Sequence, residues 1–252
     1  MEFNKIFNND CFDAFKLIHD SCIDLVLVDL PYGQTRCKWD VKIDLKLMWE
    51  HLKRMCSVNC QYVFFTTSKF GNDLINSNPL WFRYDLVWEK HNTVGFLNAN
   101  RMPLRCHEMI FIFNNPKISS SFHRVYNPQK TPGKPYKSSQ KEHRASVYGN
   151  MNVNSVVNIT GDRHPKSIIK FHQSDSKIHP TQKPVLLCEW LIKTYSNEND
   201  VVLDFTMGSG STIIAAINTH RQYIGIEKDN EIFKIAEDRI NKHKKKEVEI
   251  EV

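Results

Sequence analysis

The sequence predicts an α/β fold with a doubly wound, mostly parallel sheet, on the basis of three observations. First, short apolar runs rich in branched and aromatic residues are typical of strands covered on both faces. They lie at 24–29, 61–66, 84–88, 107–113, 201–205 and 222–227. Second, helical patterns separate most of them, at about 10–19, 44–56, 69–76, 183–195, 211–219 and 229–243. Third, the order of strands and helices indicates βαβ units.

Length and composition limit the alternatives. A chain of 252 residues predicts one large domain, 1–252, that carries an insertion rather than a second independent domain. Seven cysteines without a C-x-x-C pair indicate reduced thiols in an intracellular, cytoplasmic protein. No apolar run approaches the length of a membrane span, so we expect a soluble protein without a membrane partner.

The alternation of strands and helices stops in the segment 114–178, which we therefore predict to be inserted. It holds eleven Lys and Arg against three Asp and Glu, a net charge of +8 that leaves −2 for the rest of the chain. Aromatic residues lie among these charges, a composition suited to phosphate contact and base stacking. The alternative is a solvated loop whose lysines only maintain solubility. The candidate nucleic-acid contacts are Lys117, Arg124, Lys130, Lys134, Lys137, Lys141 and Arg144.

A glycine turn near the end of the chain predicts a nucleoside site. The apolar run that ends at Asp204 is followed by Gly208 and Gly210, which permit tight turning before a helix. The next predicted strand ends at Glu227, nineteen positions beyond Gly208. An acid at about that offset meets ribose hydroxyls in nucleotide-binding βαβ units. An ordinary turn whose glycines serve geometry alone is the alternative.

The charge of the turn indicates which cofactor it would bind. A dinucleotide site places a pyrophosphate on the helix N-terminus, and Asp204 would repel it. The same carboxylate would attract an ammonium group. S-adenosylmethionine carries an α-ammonium and no phosphate, so it is the cofactor that we expect.

Asp29-Leu30-Pro31-Tyr32 ends the first predicted strand and supplies a carboxylate, a backbone carbonyl and an aromatic face. Pro31 biases Leu30 away from helix. Asp29 and the Leu30 carbonyl could accept both N–H bonds of an exocyclic base amine while Tyr32 stacks on a flipped base. A plain strand-ending turn is the alternative. Carbon-5 methylation needs an activated cysteine, and the sequence holds no Pro-Cys pair and shows no Ser/Thr-His-style base arrangement around Cys37, so we set that chemistry aside.

Three motifs in this order resemble the β-class amino-methyltransferases of DNA: Asp29-Leu30-Pro31-Tyr32, His179-Pro180-Thr181-Gln182-Lys183-Pro184 and Asp204 to Gly210. The resemblance extends from about Asn9 to Asp229, outside the insertion. It implies a seven-stranded, Rossmann-like methyltransferase sheet in which the catalytic motif precedes the cofactor motif. It also implies that 114–178 is the target-recognition region.

The resemblance assigns roles to individual residues. Asp29, Leu30, Pro31 and Tyr32 would be catalytic. Asp10 and Cys11 would lie near the cofactor adenine, Thr181 and Lys183 near its methionine portion, Asp204 at its amino group and Glu227 at its ribose. The full expected cofactor set is Asp10, Cys11, Asp29, Thr181, Lys183, Asp204, Phe205, Thr206, Gly208, Ser209, Gly210, Thr212, Glu227 and Lys228.

The chain departs from the family pattern at two places. Leu30 replaces a proline, which a main-chain role tolerates, and Phe205-Thr206 replaces Pro-Phe, which leaves open which aromatic covers the cofactor. Asp at position 29 favours adenine-N6 over cytosine-N4 methylation of double-stranded DNA. An RNA or protein-amide methyltransferase and a non-catalytic nucleic-acid-binding module are the other hypotheses. A homodimer and a cognate restriction endonuclease stay open.

No metal is expected. His164, His172 and His179 are widely spaced and have no C-x-x-C nearby, a pattern that favours solvated or phosphate-contacting side chains.

Overall fold

The computed structural model describes residues 1–34, 37, 40–117, 125–138, 156–172 and 182–250. Its strands are β1 (Lys5–Asn8), β2 (Ile23–Asp29), β3 (Cys56–Thr66), β4 (Phe82–Val94), β5 (Arg105–Asn114), β6 (Tyr136–Ser138), β7 (Val156–Asn158), β8 (Ile168–Lys170), β9 (Val201–Asp204) and β10 (Gln222–Glu227). Its helices are α1 (Cys11–Phe15), α2 (Leu45–Met55), α3 (Ser68–Ser77), α4 (Val185–Tyr195), α5 (Ser211–Asn218) and α6 (Asn230–Ile250), with a 3₁₀ turn at Phe96–Asn98.

Eight of the described strands form one sheet in the order β1-β10-β9-β2-β3-β5-β4-β8. The five strands from β1 to β3 are parallel, whereas β5 runs antiparallel to both β3 and β4. The parallel strand β8 extends the edge beside β4. The α/β class and the mostly parallel sheet are therefore as predicted.

Side-chain alternation along β2 divides the core into two layers. Val26 and Val28 pack with the buried faces of α1, α2 and α3. Leu25 and Leu27 point to the opposite face and pack with α4, α5 and α6. Because both faces are covered, β2 reads as a continuous apolar run, which is why its sequence predicted a buried strand.

The order of the strands reverses between β2 and β9, which are neighbours in the sheet although they lie far apart in sequence. Strand β2 connects through α2 to β3 on one side, and β9 connects through α5 to β10 on the other. Ligands of open α/β sheets bind at such a reversal, beyond the carboxyl ends of the strands. The two strands end at Asp29 and Asp204.

Residues 128–166 form a separate compact unit. Within its described part, β6 pairs antiparallel with β7, and Thr131 pairs with Arg163. The Arg163 guanidinium stacks over the Tyr136 ring at 4.6 Å and donates to the Lys134 carbonyl at 2.8 Å. The remaining residues, 1–127 and 167–252, form the larger unit.

Some elements differ from the sequence prediction. The helix expected at 10–19 ends at Phe15, because Arg54 of α2 donates to the carbonyls of Phe15 and Ile18 and the chain closes in turns. Strand β1 was not predicted. Strand β8 was not predicted either, and it lies within the segment 114–178 yet pairs with the main sheet. With these additions the sheet has eight described strands rather than seven. Among the described residues, no helix is long and apolar enough to span a membrane.

Candidate active site

A cavity of about 1020 Å³ opens at the carboxyl ends of β2 and β9. It is lined by Asp29, Leu30, Pro31 and Tyr32 from the first motif and by residues 204–209 from the glycine turn. The two motifs therefore face one hollow. We refer to its two ends as the glycine-loop corner (Asp204, Gly208 and Glu227) and the Asp29 corner (Asp29, Tyr32 and Lys183).

The glycine-loop corner is built from carboxylates that accept backbone N–H groups. Asp204 accepts from the Thr206 amide at 3.1 Å, and Glu227 accepts from the amides of Gly208 at 3.0 Å and Asp229 at 2.8 Å. Burial raises the pKa of Asp204 to about 7 and also raises the pKa of Glu227. A buried carboxyl with so high a pKa is one that a cationic ligand would stabilise in its charged form.

The backbone of the glycine loop leaves room for a ligand. Gly208 has φ +51, and a Cβ built there meets no atom within 4 Å, so its open side faces empty space. Gly210 has φ +79 and is the N-cap residue of α5. Arg239 of α6 supports the turn by donating to the Ser209 carbonyl at 2.8 Å and the Ser211 hydroxyl at 3.1 Å.

The start of α1 closes the same end of the hollow. Asp10 caps the helix by accepting from the Phe12 amide at 2.9 Å, and Lys228 pairs with its other oxygen at 3.0 Å. Cys11 is buried, and burial raises the pKa of its thiol to about 12. A thiol of that pKa is not a nucleophile at neutral pH.

In the Asp29 corner, the carboxylate is held from both sides. Its Oδ1 accepts from the Tyr32 hydroxyl at 2.6 Å, and its Oδ2 pairs with the ammonium of Lys183. The backbone carbonyl of Asp29 accepts from the Thr206 hydroxyl at 3.0 Å. This last bond ties the first motif directly to the glycine turn.

Lys183 continues into a chain of alternating charges. Its ammonium lies 3.4 Å from Glu108 Oε2, and the other Glu108 oxygen pairs with Lys90. Burial alone would lower the pKa of Lys183, but Asp29 and Glu108 outweigh it and the pKa is raised. Burial would likewise raise the pKa of Glu108, but the two lysines lower it. The chain from Lys90 to Asp29 alternates two lysines with two carboxylates and is formally neutral.

Sequence reasoning missed Glu108 and Lys90, which both line the hollow. Glu108 stands directly before the apolar stretch 109–113 of β5, and Lys90 stands in β4 two positions after the shorter apolar stretch 86–88. That signal marks them as unusual without indicating that they meet, since Lys90 and Glu108 belong to neighbouring antiparallel strands.

The aromatic residues of the site have different surroundings. Phe205 is 2% exposed and packs edge-to-face on Phe15 at 5.1 Å, so most of its ring belongs to the core. The Tyr32 ring packs on Phe70 at 5.2 Å. The next turn is held by Asp40, which accepts from the backbone amide of Gly33 at 2.7 Å.

The described part of the predicted cofactor set lines the hollow, with the exception of Gly210, which lies behind it in the turn. Thr181 lies outside the described residues, as do the predicted DNA contacts Arg124, Lys141 and Arg144. Lys117 is exposed after β5, and Lys130, Lys134 and Lys137 are exposed in the smaller unit. Across the described ranges, no group of three potential metal ligands comes together.

Comparisons with known proteins find DNA methyltransferases of similar sequence and fold. The Type II methyltransferase M1.MboII of Moraxella bovis is 27% identical over 255 residues, 92% of this chain and 94% of that protein. The crystal structure of an M1.HpyAVI–SAM complex superposes with a TM-score of 0.63 at 23% identity, covering 93% of this chain and 98% of that one. The cofactor predicted for this chain is therefore the ligand bound in that crystal structure, which has a similar fold.

A second solved structure shows that the fold alone does not distinguish adenine from cytosine as the target base. The PvuII DNA methyltransferase, described as cytosine-N4-specific, superposes with a TM-score of 0.66 at 13% identity, over 94% of this chain and 86% of that one. Residues 23–238 match the DNA methylase pattern of the N6/N4 methyltransferases. The chain therefore belongs to the N6/N4 family of DNA methylases, as its motifs predicted.

Proposed function

We propose that this protein transfers a methyl group from S-adenosylmethionine to the exocyclic N6 amine of an adenine flipped out of double-stranded DNA. One observation carries the proposal. The glycine-loop corner and the Asp29 corner line the same hollow of about 1020 Å³, a volume at the upper end of that usual for small-molecule sites.

The residues of the glycine-loop corner fit this cofactor. Asp204 presents a buried carboxylate and Glu227 a half-buried one, both with raised pKa values, and they suit the α-ammonium and the ribose hydroxyls respectively. A phosphate would meet these carboxylates unfavourably, and the cations nearby, Lys228 and Arg239, are already bound to Asp10 and to the serines of the loop. The open side of Gly208 gives the ligand close access to backbone.

When bound, the cofactor supplies an electrophilic methyl group on a positively charged sulfur. The protein then has to orient a weakly nucleophilic amine. Asp29 uses one lone pair of each oxygen for Tyr32 and Lys183, so a second lone pair stays available for an amine N–H. The Leu30 carbonyl, which also lines the hollow, is the second acceptor. Because Asp29 accepts an N–H bond of the amine, it is also the group that receives the proton leaving the nitrogen as the N–C bond forms.

The alternating chain of charges gives Asp29 its orientation. Lys183 is bound to both Asp29 and Glu108, and Glu108 is bound in turn to Lys90. This arrangement holds Asp29 in one orientation without a net charge that would repel the cationic cofactor. Electrostatic groups aligned before the reaction contribute more to rate than groups that must reorganise during it.

The segment 114–178 is our proposed target-recognition region. Lys130, Lys134 and Lys137 are exposed within its compact part, where Arg163 stacks on Tyr136. Exposed lysines give affinity for phosphates, whereas arginine and aromatic faces suit contact with bases. Replacing the three lysines with glutamine should weaken DNA binding and reduce its salt dependence while leaving cofactor affinity unchanged.

Adenine rather than cytosine is the proposed target because Asp stands at position 29. The purified protein would be incubated with plasmid DNA and labelled cofactor, and the DNA would be digested to nucleosides and sequenced at single-molecule resolution. We expect N6-methyladenine at one short recurring site. N4-methylcytosine without N6-methyladenine would reverse the assignment, and label found only in RNA or in protein would overturn the substrate class.

A further inference from the structure

The turn that joins β4 to β5 presents large apolar side chains to solvent. Phe96 is 80% exposed, Leu97 is 99% exposed and Met102 is 59% exposed. We call residues 91–105 the β4–β5 tip. Single exposed apolar residues need no explanation, but two adjacent ones at the end of a hairpin with a third nearby indicate a surface that binds something.

The backbone of the tip holds these side chains outward. Gly95 has φ +93, and the 3₁₀ turn at Phe96–Asn98 follows it directly. The Asn98 amide donates to the Gly95 carbonyl at 2.9 Å, and the amides of Arg101 and Met102 donate to the Asn98 carbonyl at 2.8 and 3.0 Å. The exposure of Phe96 and Leu97 is thus a property of a hydrogen-bonded turn.

The charge of the tip identifies the kind of partner. No Asp or Glu lies between Lys90 and His107, and the tip carries Arg101 and Arg105 together with three asparagines. Arginines beside exposed apolar side chains suit a polyanion whose interior is apolar and stackable. Duplex DNA has both properties, because its phosphates surround its stacked bases.

The tip also adjoins the hollow. Asn92, Thr93 and Val94 line the cavity. Phe96 is two residues beyond Val94, so their Cα atoms lie at most about 7 Å apart. A nucleotide turned into the hollow would therefore leave its gap in the duplex close to Phe96 and Leu97.

We propose that Phe96 and Leu97 are a wedge that enters the duplex at the position the target base has left, while Arg101 and Arg105 contact the flanking phosphates. Apolar side chains that insert between base steps are a known means of holding DNA in a distorted form. This inference rests on the proposed function, since it needs a flipped base. It adds the residues that stabilise the flipped state from the DNA side.

The test compares the double variant Phe96→Ser/Leu97→Ser with the wild type and with a control, Leu80→Ser, a 75% exposed leucine that does not line the hollow. Each protein methylates two oligonucleotide duplexes that carry the site found by sequencing. In one the target base is paired, and in the other it faces an abasic position that removes the pairing to be broken. Cofactor affinity and thermal melting verify folding, and sedimentation measures the oligomeric state.

We expect the double variant to lose about tenfold or more in rate on the paired duplex and to recover to within about threefold of wild type opposite the abasic position. Leu80→Ser should match wild type on both. Equal loss on the two duplexes, no loss on either, or a changed oligomeric state would overturn the wedge while leaving the proposed function standing. A wild-type protein that is inactive on both duplexes would remove the proposed function and the wedge with it.

Discussion

The two corners of the hollow are built in different ways. In the glycine-loop corner, Asp204 and Glu227 accept backbone amides of residues two or four positions beyond a strand end, and the whole arrangement comes from β9, β10 and the turns that follow them. In the Asp29 corner, the partners Lys183, Glu108 and Lys90 come from three further segments of the chain. One corner is local in sequence, and the other exists only after the sheet has formed.

The difference has a chemical consequence. The local corner has uncompensated carboxylates and so favours a cation, whereas the Asp29 corner is neutral overall and holds one carboxylate in a fixed direction. The first arrangement suits binding and the second suits orientation of a reacting group. Variants in the two corners should therefore separate cofactor affinity from turnover.

Asp29→Ala should have the largest effect. Loss of the acceptor that orients the amine should reduce single-turnover methylation by at least about a hundredfold. Cofactor affinity, measured by calorimetry, should stay within about threefold of wild type, because Asp204 and Glu227, the groups proposed to hold the α-ammonium and the ribose, are untouched. The matched control is Asp29→Asn, which retains one oxygen acceptor. Its methylation rate should lie between the rates of the wild type and of Asp29→Ala. If Asp29→Ala retains turnover, the Asp29 corner does not orient the reacting amine.

Glu108→Gln should destabilise the fold and slow turnover together. It leaves Lys90 and Lys183 facing each other without the intervening charge, and breaking a buried ion pair costs about 3–5 kcal/mol. The measurement is the free energy of unfolding in urea with the rate of methylation. Lys90→Met added to Glu108→Gln restores neutrality, so the double variant should be more stable than Glu108→Gln alone. Additive losses in the double variant would contradict a linked chain of charges.

Asp204→Asn tests the raised pKa of the local corner. The carboxyl has a folded pKa of about 7 against an ordinary value of 3.8, so the folded state holds the proton more tightly than the unfolded state. Its contribution to stability is therefore present at low pH and is lost as the pH rises towards and through 7. Asp204→Asn should raise the melting temperature of the cofactor-free protein by about 2 °C or more at pH 8, with a smaller gain at pH 6.

Cofactor affinity should rise with pH, whereas the contribution of Asp204 to stability falls with pH. The wild type should bind S-adenosylmethionine more tightly as the pH rises from 6 to 7.5, because Asp204 ionises and attracts the α-ammonium. Asp204→Asn should bind weakly across that range without this rise. An identical pH dependence in both proteins would remove Asp204 from the cofactor site.

Arg239→Met should have the smallest effect. Arg239 supports the glycine loop through its bonds to Ser209 and Ser211 without lining the hollow. Loss of these bonds should weaken cofactor affinity by about tenfold or less, with turnover at saturating cofactor unchanged. Lys234→Met, an exposed substitution in the same helix, is the control. A loss of turnover at saturation would mean that the loop also positions the reacting group.

The sequence predicted the elements that short contiguous segments form. The strands that end at Asp29, Asp204 and Glu227 were predicted because buried parallel strands are continuous apolar runs, and the glycine turn because its spacing is short and regular. The α/β class followed from these elements, and the methyltransferase fold from the resemblance of the three motifs to the amino-methyltransferases of DNA. Strands β1 and β8 have only four and three residues, too few for a periodic pattern.

What the sequence could not predict depends on tertiary contacts. Helix α1 ends early because Arg54, in another helix, donates to the carbonyl of Phe15, the last residue of α1, and to the carbonyl of Ile18 in the turns that follow. Glu108 and Lys90 meet through the pairing of β4 with β5, and no spacing in the sequence indicates that Lys183 will face them. Asp29 and Thr206 lie far apart in the sequence, so no local pattern indicates the hydrogen bond that joins the two motifs.

The most direct test of a shared hollow is a crystal structure of the protein with a duplex that carries its site and an unreactive analogue of S-adenosylmethionine. We expect the analogue on the glycine loop, the target amine bonded to Asp29 and the Leu30 carbonyl, and the amine nitrogen about 3–3.5 Å from the methyl position. An analogue and a flipped base held in separate cavities, or a target amine turned away from Asp29, would contradict the account.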